Sequence, residues 1–229
     1  MNGSSTIVYV VDDDAEVCQA LECLLQSASY QACAFTSPRK FLACHDPCAP
    51  GCIILDLVMP DCGGLELQAT LAASGCARPI IFLSGNASIE ASVAAVRAGA
   101  TDFLVKPIED HKLFSAVDAA LVIDLENRRT AVYHEAIAHR IDSLTRRELE
   151  VLKHVISGRL NKQIAAEIGT VEKTVKVHRA RAMHKLGARS VAELVQIANS
   201  AGITGRDRDN GEYLQPWPLR TGSSPIRAR

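Results

Sequence analysis

The sequence has few aromatic residues, which amount to 4% of its 229 residues and include a single Trp. It has no apolar run close to the roughly twenty residues that a membrane-spanning helix requires, and no segment resembling a secretory signal peptide. Its eight Cys all lie before residue 77. We therefore expect a cytoplasmic protein without a membrane partner, whose thiols stay reduced and fill small core positions.

Charge is unevenly distributed along the chain, although the formal net charge is only −1. Residues 1–125 contain six Lys or Arg against fifteen Asp or Glu, whereas residues 140–204 contain twelve against six. An acidic half and a basic half favour different partners. We therefore predict a first domain at 1–124, a partly helical linker at 125–140, a second domain at 141–203 and a disordered tail at 204–229.

Short apolar runs alternate with amphipathic stretches over the first half of the chain. The strands are predicted at 7–11, 30–35, 52–55, 80–83 and 103–105, and the helices near 14–28, 38–44, 64–74, 87–98 and 109–123. Strands and helices that alternate in this way form a parallel sheet with helices on both faces. The first half is therefore predicted to be a doubly wound α/β domain.

Four charged residues stand at the carboxyl ends of these predicted strands. Asp12 and Asp13 follow the first strand, Asp56 the third and Lys106 the fifth. Ligands of an open α/β sheet bind at this edge, and carboxylate oxygens suit Mg²⁺, which keeps several of its waters. A carboxylate beside a metal ion and a lysine can also attack phosphorus and form an aspartyl phosphate. Asp56, alone after the central strand, is the natural phosphoacceptor.

These motifs, in their order and spacing over about 120 residues, resemble the receiver domain of bacterial two-component response regulators. They are Val11-Asp12-Asp13, Leu55-Asp56 with Met59-Pro60, Ser84-Gly85, and Phe103 with Lys106-Pro107. The resemblance implies a flavodoxin-like sheet of five parallel strands with a phosphoacceptor and a bound Mg²⁺.

Carried over position by position, the resemblance gives each matching residue a role. Asp56 would accept the phosphoryl group. The metal ligands would be Asp12, Asp13, Asp56 and the backbone carbonyl of Val58; Ser84 and Lys106 would bind phosphoryl oxygens, and Phe103 would be the aromatic switch.

Each of these residues also has a plain structural interpretation. Asp13 or Asp14 could cap the helix that follows, and we take Asp14 as the residue that starts it. Lys106 could be a solvated loop residue, and Phe103 could simply belong to the core. Separately, the sequence places Cys44, His45, Cys48 and Cys52 close together, which suggests a metal or redox site although the spacing is not that of a zinc module.

The basic half is predicted to be all helical. Thr145 and Glu148 have the spacing of a capping box at the start of a first helix. Asn161 can cap a second helix, which Gly169 would end because glycine readily adopts the left-handed conformation. A third helix is predicted from about 172 to 186 and a fourth from about 190 to 199.

The third helix has a basic face opposite its apolar one. With Val175 inward, Ala182 and Leu186 share the buried face at 100° per residue. The opposite face holds Lys173, Lys176, Val177, Ala180, Arg181 and His184. Such a helix after a short helix and a brief turn predicts the recognition helix of a helix-turn-helix domain. An ordinary solvated surface remains the alternative.

The basic half is similar to the four-helix output domain of LuxR/FixJ/NarL-type regulators. The matching motifs are Leu144-Thr145-x-x-Glu148, Asn161-Lys162-x-Ile164-Ala165, and Thr174-Val175-Lys176-Val177-His178 continuing to Lys185-Leu186. By that match Lys176 and Val177 would face bases, whereas Lys162, Thr174 and Arg179 would touch phosphates. Two positions depart from the pattern: Ala180 replaces a basic residue of some relatives, and Val171 replaces the Ser or Thr cap of many.

The two resemblances together predict a two-component response regulator and not an enzyme. A histidine kinase would phosphorylate Asp56, and the phosphorylated chain, as a homodimer, would bind double-stranded promoter DNA, with RNA polymerase as a further candidate partner. Two alternatives stay open. One is a phosphohydrolase, although Val58 stands where such enzymes usually have a general acid; the other is a regulator switched through its cysteines.

Overall fold

The protein is described here from a computed structural model. The described residues are 6–60, 62–85, 93 and 95–203. The chain divides into two compact units, Met1–Tyr133 and His134–Arg229. The tail predicted at 204–229 lies outside the described residues. None of the helices in the described ranges is long and apolar enough to cross a membrane.

The described strands of the first unit form one parallel sheet. They are β1 (Ile7–Val11), β2 (Gln31–Phe35), β3 (Gly51–Asp56), β4 (Ile80–Ser84) and β5 (Asp102–Val105). Their order is β2-β1-β3-β4-β5, with every neighbouring pair parallel. The direction of chain progression reverses between β1 and β3, so the binding crevice of this topology lies at the carboxyl ends of these two strands. The predicted doubly wound sheet is confirmed.

Helices pack on the sheet of the first unit. They are α1 (Ala15–Ser27), α2 (Pro38–Cys44), α3 (Gly64–Ala73) and α4 (Asp110–Asp142). The helix predicted near 87–98 falls mostly outside the described residues. The helix predicted to end near 123 continues to Asp142, so the range predicted as a linker, 125–140, is helical throughout.

Two apolar clusters fill the first unit. One contains Val10, Ile54 and Leu113, and the other contains Tyr9 and Phe82. Residues on successive positions of a strand point to opposite faces, so β1 and β3 contribute alternately to the two clusters. All six residues of β3 are buried, as expected for the central strand of a sheet covered on both faces.

A partly buried ion pair supports the continuation of α4 past the predicted end near residue 123. Asp124 Oδ2 accepts from the Gly51 backbone N–H at 2.9 Å and from Arg128 Nε at 2.7 Å. The Arg128 guanidinium also donates to the carbonyl oxygens of Cys48 and Ala49. These contacts tie the helix after residue 123 to the start of β3, and the i,i+4 spacing of Asp124 and Arg128 itself supports helix.

The second unit is helical in its described part. Besides the end of α4 it contains α5 (Arg146–Ile156), α6 (Asn161–Glu167), α7 (Glu172–Leu186) and α8 (Val191–Ser200). Its core contains Val151, Ile164, Val175, Leu186 and Leu194. Apolar residues of α5, α6, α7 and α8 therefore meet in one core, which is the arrangement of a small all-α domain.

Candidate phosphorylation site and DNA interface

An acidic pair bridged by a lysine lies at the carboxyl edge of the sheet. Asp12 directly follows β1, Asp56 ends β3 and Lys106 directly follows β5. Lys106 Nζ lies 2.5 Å from Asp12 Oδ2 and 2.8 Å from Asp56 Oδ1. Asp12 is 1% exposed and Asp56 is 6% exposed. The three side chains that the sequence placed at one edge are therefore in direct contact.

Backbone groups hold the remaining carboxylate oxygens of this pair. The Asp14 N–H donates to Asp12 Oδ1 at 3.0 Å, and the Val58 N–H donates to Asp56 Oδ2 at 2.7 Å. These bonds fix both carboxylates, while each oxygen, which has two lone-pair sites, can still accept a second partner. The pair is thus oriented for a further cation or an electrophile.

The environment of Lys106 keeps this side chain charged. Partial burial lowers the pKa of Lys106, but hydrogen bonds to Asp12 and Asp56 and the attraction of their charges outweigh burial, so its pKa is raised. A permanently charged ammonium next to two buried carboxylates offsets part of their mutual repulsion. The same ammonium is within reach of any group bound to Asp56.

The other predicted site residues take different positions. Ser84 is buried at the end of β4, and its carbonyl oxygen accepts from the Lys106 backbone N–H at 2.8 Å. Phe103 is half-buried against the cluster around Tyr9 and Phe82. Asp13, in contrast, is exposed to solvent, while Asp14 caps α1 as predicted by accepting from Glu16 and Val17.

Gly64 allows α3 to start close to the phosphoacceptor candidate. A Cβ atom at this position would lie 2.4 Å from the carbonyl oxygen of Asp56 and 2.8 Å from the ring of Phe82. Any other residue would push the helix away from β3. The glycine at position 64 is therefore required by close packing of α3 against β3.

The acidic pair offers the kind of ligand atoms that a hard cation such as Mg²⁺ prefers. Asp12 and Asp56 offer only oxygen, and Mg²⁺ requires no more than one or two protein carboxylates because it keeps several waters. Within the described ranges, no group of three or more His, Cys, Asp or Glu side chains is arranged to hold a metal ion. Asp13 is exposed to solvent, so the buried carboxylates of the crevice are those of Asp12 and Asp56.

The cysteine and histidine cluster suggested by the sequence does not form a site in the described structure. Cys44 and Cys48 are exposed, whereas Cys52 is buried within β3. His45 stacks on Phe41, with ring centroids 4.5 Å apart, and its Nδ1 lies 2.9 Å from the Phe41 carbonyl oxygen. Burial raises the pKa of the Cys52 thiol to about 12, so this thiol is inert at neutral pH.

Helix α7 of the second unit has the two faces that the sequence predicted. Val175, Ala182 and Leu186 are buried. The opposite face is exposed and consists of Lys173, Lys176, Val177, Ala180, Arg181 and His184. Lys162, on the preceding helix α6, is exposed as well, while Thr174 and Arg179 are half-buried. A short helix, a turn and a helix with a free basic face can enter a DNA major groove.

The predicted cap of α6 is wrong. Leu160, and not Asn161, precedes the helix, and its N–H donates to the side chain of Gln163 at 2.9 Å. Asn161 Oδ1 instead accepts from Arg179 Nη1 at 3.2 Å, which ties α6 to α7. At the start of α7, Val171 occupies the cap position without a side-chain hydrogen bond.

The capping box at the start of α5 is confirmed and extends to a third residue. Thr145 Oγ1 accepts from the Glu148 N–H, and Glu148 Oε2 accepts from the Thr145 N–H at 2.9 Å. Glu148 is 3% exposed, and Lys185 Nζ lies 2.7 Å from its Oε2. The hydrogen bond from Lys185, and then that from the Thr145 backbone, lower the pKa of Glu148 to about 2.

We expect Glu148→Ala to destabilise the second unit by about 2 kcal/mol, through loss of the cap and of a charged hydrogen bond. The pKa of Glu148 lies at about 2 in the folded chain against 4.5 ordinarily. Its contribution is therefore fully present above about pH 5 and is lost as the pH falls from there towards 2. Hydrogen exchange of peptides from α5 and α7, followed in denaturant, would measure this.

Glu150→Ala is the matched control, because Glu150 pairs with Arg147 on an exposed surface and such pairs contribute well under about 1 kcal/mol. The interpretation is wrong if the two variants are equally stable at pH 7, or if the deficit of Glu148→Ala does not shrink in acid.

The chain thus combines two parts with separate chemistry, a carboxylate crevice suited to a phosphoryl group and a basic helix suited to DNA. This combination defines a signal-responsive DNA-binding protein. Comparison with known proteins gives the same division: the family model described as response regulator receiver domain matches residues 8–118, and that of the luxR family of bacterial regulatory proteins matches residues 142–198.

Full-length relatives share this arrangement. The response regulator protein TmoT of Ectopseudomonas mendocina is 40% identical over 86% of this chain and 90% of its own length. The transcriptional regulatory protein TdiR of Thauera aromatica is 36% identical over 98% and 96%. Among solved structures, the response regulator StyR superposes with a TM-score of 0.73 at 40% identity, covering 85% of this chain and 98% of StyR.

The chain belongs to the two-component response regulators that carry a luxR-type DNA-binding domain. It is a regulator of transcription, its partners are a histidine kinase and DNA, and its family is not a class of enzymes. Receiver domains of this family generally bind Mg²⁺ at the site of phosphorylation. Of the two alternatives left open by the sequence, the phosphohydrolase is therefore wrong.

Proposed function

We propose that Asp56 is the residue that accepts the phosphoryl group from the kinase. The contact that carries the proposal is that of Lys106 Nζ with the two buried carboxylates Asp12 and Asp56. In the reaction one carboxylate oxygen of Asp56 attacks phosphorus. The new O–P bond forms as the N–P bond to the kinase histidine breaks, and the imidazole leaves with a proton.

The roles that we propose for the residues around Asp56 follow from their positions. Asp12, Asp13, Asp56 and the Val58 carbonyl would hold Mg²⁺, which when bound supplies positive charge to the equatorial phosphoryl oxygens. Asp13 is exposed in this structure, so we propose that it contributes through a water. Ser84, buried at the end of β4, and Lys106 would donate to the phosphoryl oxygens.

Phosphorylation would act as a switch through Lys106. A phosphoryl group on Asp56 brings up to two negative charges, which compete with Asp12 for the Lys106 ammonium. Moving a two-state equilibrium from nearly all inactive to nearly all active requires about 5.5 kcal/mol, and a few charge-assisted hydrogen bonds are of that size. Phe103, half-buried beside Phe82, would turn inward and move from partial to full burial.

In the second unit, α7 would enter the major groove. Lys176 and Val177 would face bases, with Lys173, Arg181 and His184 on the same exposed surface. Lys162, Thr174 and Arg179 would contact phosphates, which set register and salt dependence but carry no sequence information. Ala180 is exposed at the centre of this face and would contact a thymine methyl group.

We propose the domain limits 1–124 and 141–203, with 125–140 as the connection. We also propose that the phosphorylated chain forms a homodimer, because two recognition helices placed one helical turn apart read two half-sites. RNA polymerase is a further proposed partner. A DNA-binding role requires access to the chromosome, so we propose that the protein works in the cytoplasm.

Footprinting on genomic DNA, with and without a small phosphodonor and Mg²⁺, tests the coupling of the two activities. We expect protected sites to appear, or to gain affinity by at least about tenfold, only with the donor. A cysteine-free variant should respond identically. Equal protection with and without the donor would contradict the proposal, and a response lost in the cysteine-free variant would favour the cysteine alternative.

Lys106→Met should make the stability of the first unit depend on Mg²⁺. The substitution leaves Asp12 and Asp56 facing each other without a cation, which costs about 3 kcal/mol for a buried group of this kind. A metal that binds only the folded chain restores stability by mass action. The free energy of unfolding, measured by urea titration with and without Mg²⁺, should therefore increase more in Lys106→Met than in the wild type.

Lys112→Met controls for the loss of a lysine, since Lys112 pairs with the exposed Glu109 at 2.6 Å and lies outside the crevice. An equal effect of Mg²⁺ on the wild type and on both variants would show that the acidic pair does not hold the metal.

A further inference from the structure

Helix α4 has a row of exposed apolar residues, which we call the outer stripe: Val122, Leu125 and Val132. Their exposed fractions are 61%, 49% and 65%. Single apolar residues are common on protein surfaces, but a group of them on one face marks a contact with another molecule. All three belong to the first unit, which ends at Tyr133. The outer stripe therefore points to an interaction of this unit.

The outer stripe lies on the side of α4 that faces away from the sheet. The helix packs on the sheet through Leu113, Val117 and Ala120, which are buried in the cluster that contains Val10 and Ile54. At 100° per residue, the outer stripe is rotated by about 120° to 200° from Ala120. The buried face of α4 and the outer stripe are therefore different faces, and the core of the unit leaves the outer stripe uncovered.

The spacing of the outer stripe is that of a helix–helix contact. Residues 122, 125, 129 and 132 follow one another at intervals of three, four and three, which is the a and d pattern of a coiled coil. The remaining position of this pattern is occupied by Arg129, whose side chain pairs with Glu126 at 2.9 Å on the exposed surface. A helix with this pattern fits along a second helix that has the same spacing.

We propose that the outer stripe binds the outer stripe of a second copy of this chain, with the two α4 helices antiparallel. The proposal rests on the homodimer proposed above and names its contact. In a twofold interface, residue i of one copy contacts residue j of the other, and j contacts i. An antiparallel pair centred near residue 127 places Val122 opposite Val132 and Leu125 opposite Arg129.

Charge favours a second copy as the occupant and the antiparallel direction. In a parallel pair each residue meets its own copy, so the two Arg129 side chains would face each other and repel. In the antiparallel pair each Arg129 guanidinium comes next to the Glu126 carboxylate of the second copy. The contact of Arg129 with Glu126 within one helix is exposed and contributes little, so it can be exchanged for the contact between copies. The outer stripe thus complements itself in apolar surface and in charge.

The size of the outer stripe predicts weak association. Between residues 122 and 132 the helix rises by about 15 Å, whereas a stable interface buries about 800 Å² on each partner. Three turns of one helix cover less than this, so we expect a Kd on the order of micromolar or above. A dimer of such marginal stability responds to small changes elsewhere in the chain, as an association controlled by phosphorylation requires.

Sedimentation velocity of the full chain at several concentrations, in Mg²⁺ with and without a small phosphodonor, measures this association. Val132→Gln should weaken it by at least about tenfold, because in a twofold dimer the apolar contact is lost twice. Ile123→Gln is the matched control. Ile123 is an exposed apolar residue of the same helix, but it lies outside the outer stripe, so this variant should associate like the wild type.

Two charge reversals test the pairing and its direction. Arg129→Glu and Glu126→Arg should each weaken self-association by about tenfold, because like charges then meet between the copies. An equimolar mixture of the two variants should associate at least as strongly as the wild type. Lys112→Glu reverses an exposed lysine at the start of α4 and should have no effect. In a parallel pair Arg129→Glu would only exchange one repulsion for another, so unchanged association of this variant would contradict the antiparallel arrangement.

Recovery of association in the mixture cannot come from a variant that fails to fold, so the mixture decides even if one substitution destabilises the helix. The outer stripe is not the contact if Val132→Gln associates like Ile123→Gln, or if the mixture associates no better than either variant alone; the homodimer would then use another surface. A wild type that stays monomeric at every concentration with the phosphodonor would overturn the homodimer and the outer stripe together.

Discussion

Asp56→Asn is expected to lose phosphate incorporation from a small phosphodonor, with a decrease on the order of 100-fold or more, since an amide is not a nucleophile toward phosphorus. The fold should survive the change, because Asp12 remains to pair with Lys106 and the amide is close in size to the carboxylate. Incorporation would be followed by intact-mass measurement over time in the presence of Mg²⁺, and the fold by circular dichroism.

Asp14→Asn is the matched control for this experiment. Asp14 is two residues from Asp12, but it is exposed and its side chain caps α1, a task that Asn performs equally well. Asp14→Asn should therefore incorporate phosphate at the rate of the wild type. Incorporation by Asp56→Asn at the wild-type rate would show that the phosphoacceptor is another residue.

The arrangement of the acidic pair could be predicted from the sequence because it depends on few local rules. Three apolar runs that each end in a charged residue place Asp12, Asp56 and Lys106 at one edge of any parallel sheet. The position of Asp13 could not be obtained in that way. Asp13 lies beyond the end of β1, where the alternation of a strand no longer applies, and it is exposed to solvent.

Features that depend on distant contacts were not predictable from local pattern. The continuation of α4 past residue 123 is supported by Asp124, which binds Gly51, and by Arg128, which binds Cys48, both more than seventy residues away in the chain. Asn is a residue type that often caps a helix, but the side chain of Asn161 instead accepts a hydrogen bond from Arg179, eighteen residues later.

Lys176→Ala is expected to weaken binding to the cognate promoter by about tenfold or more, while binding to unrelated DNA changes much less. Lys176 is exposed on α7, and its 3.1 Å contact with Glu172 lies on the exposed surface. Such a surface pair contributes little, so DNA can replace it. A direct contact to a base edge contributes about 1–3 kcal/mol of discrimination. Affinity would be measured by fluorescence anisotropy on both DNAs at several salt concentrations.

Lys162→Ala provides the contrasting case, because Lys162 on α6 is proposed to contact a phosphate. Its loss should weaken binding to both DNAs by a similar factor and reduce the salt slope by about 1, as expected for one phosphate contact fewer. Lys112→Ala removes the same charge from the first unit and should change neither quantity. If Lys176→Ala and Lys162→Ala reduce both affinities alike, α7 does not read bases through Lys176. The basic face would then bind DNA by charge alone, and the specificity would have to come from Val177, Ala180 or the shape of the duplex.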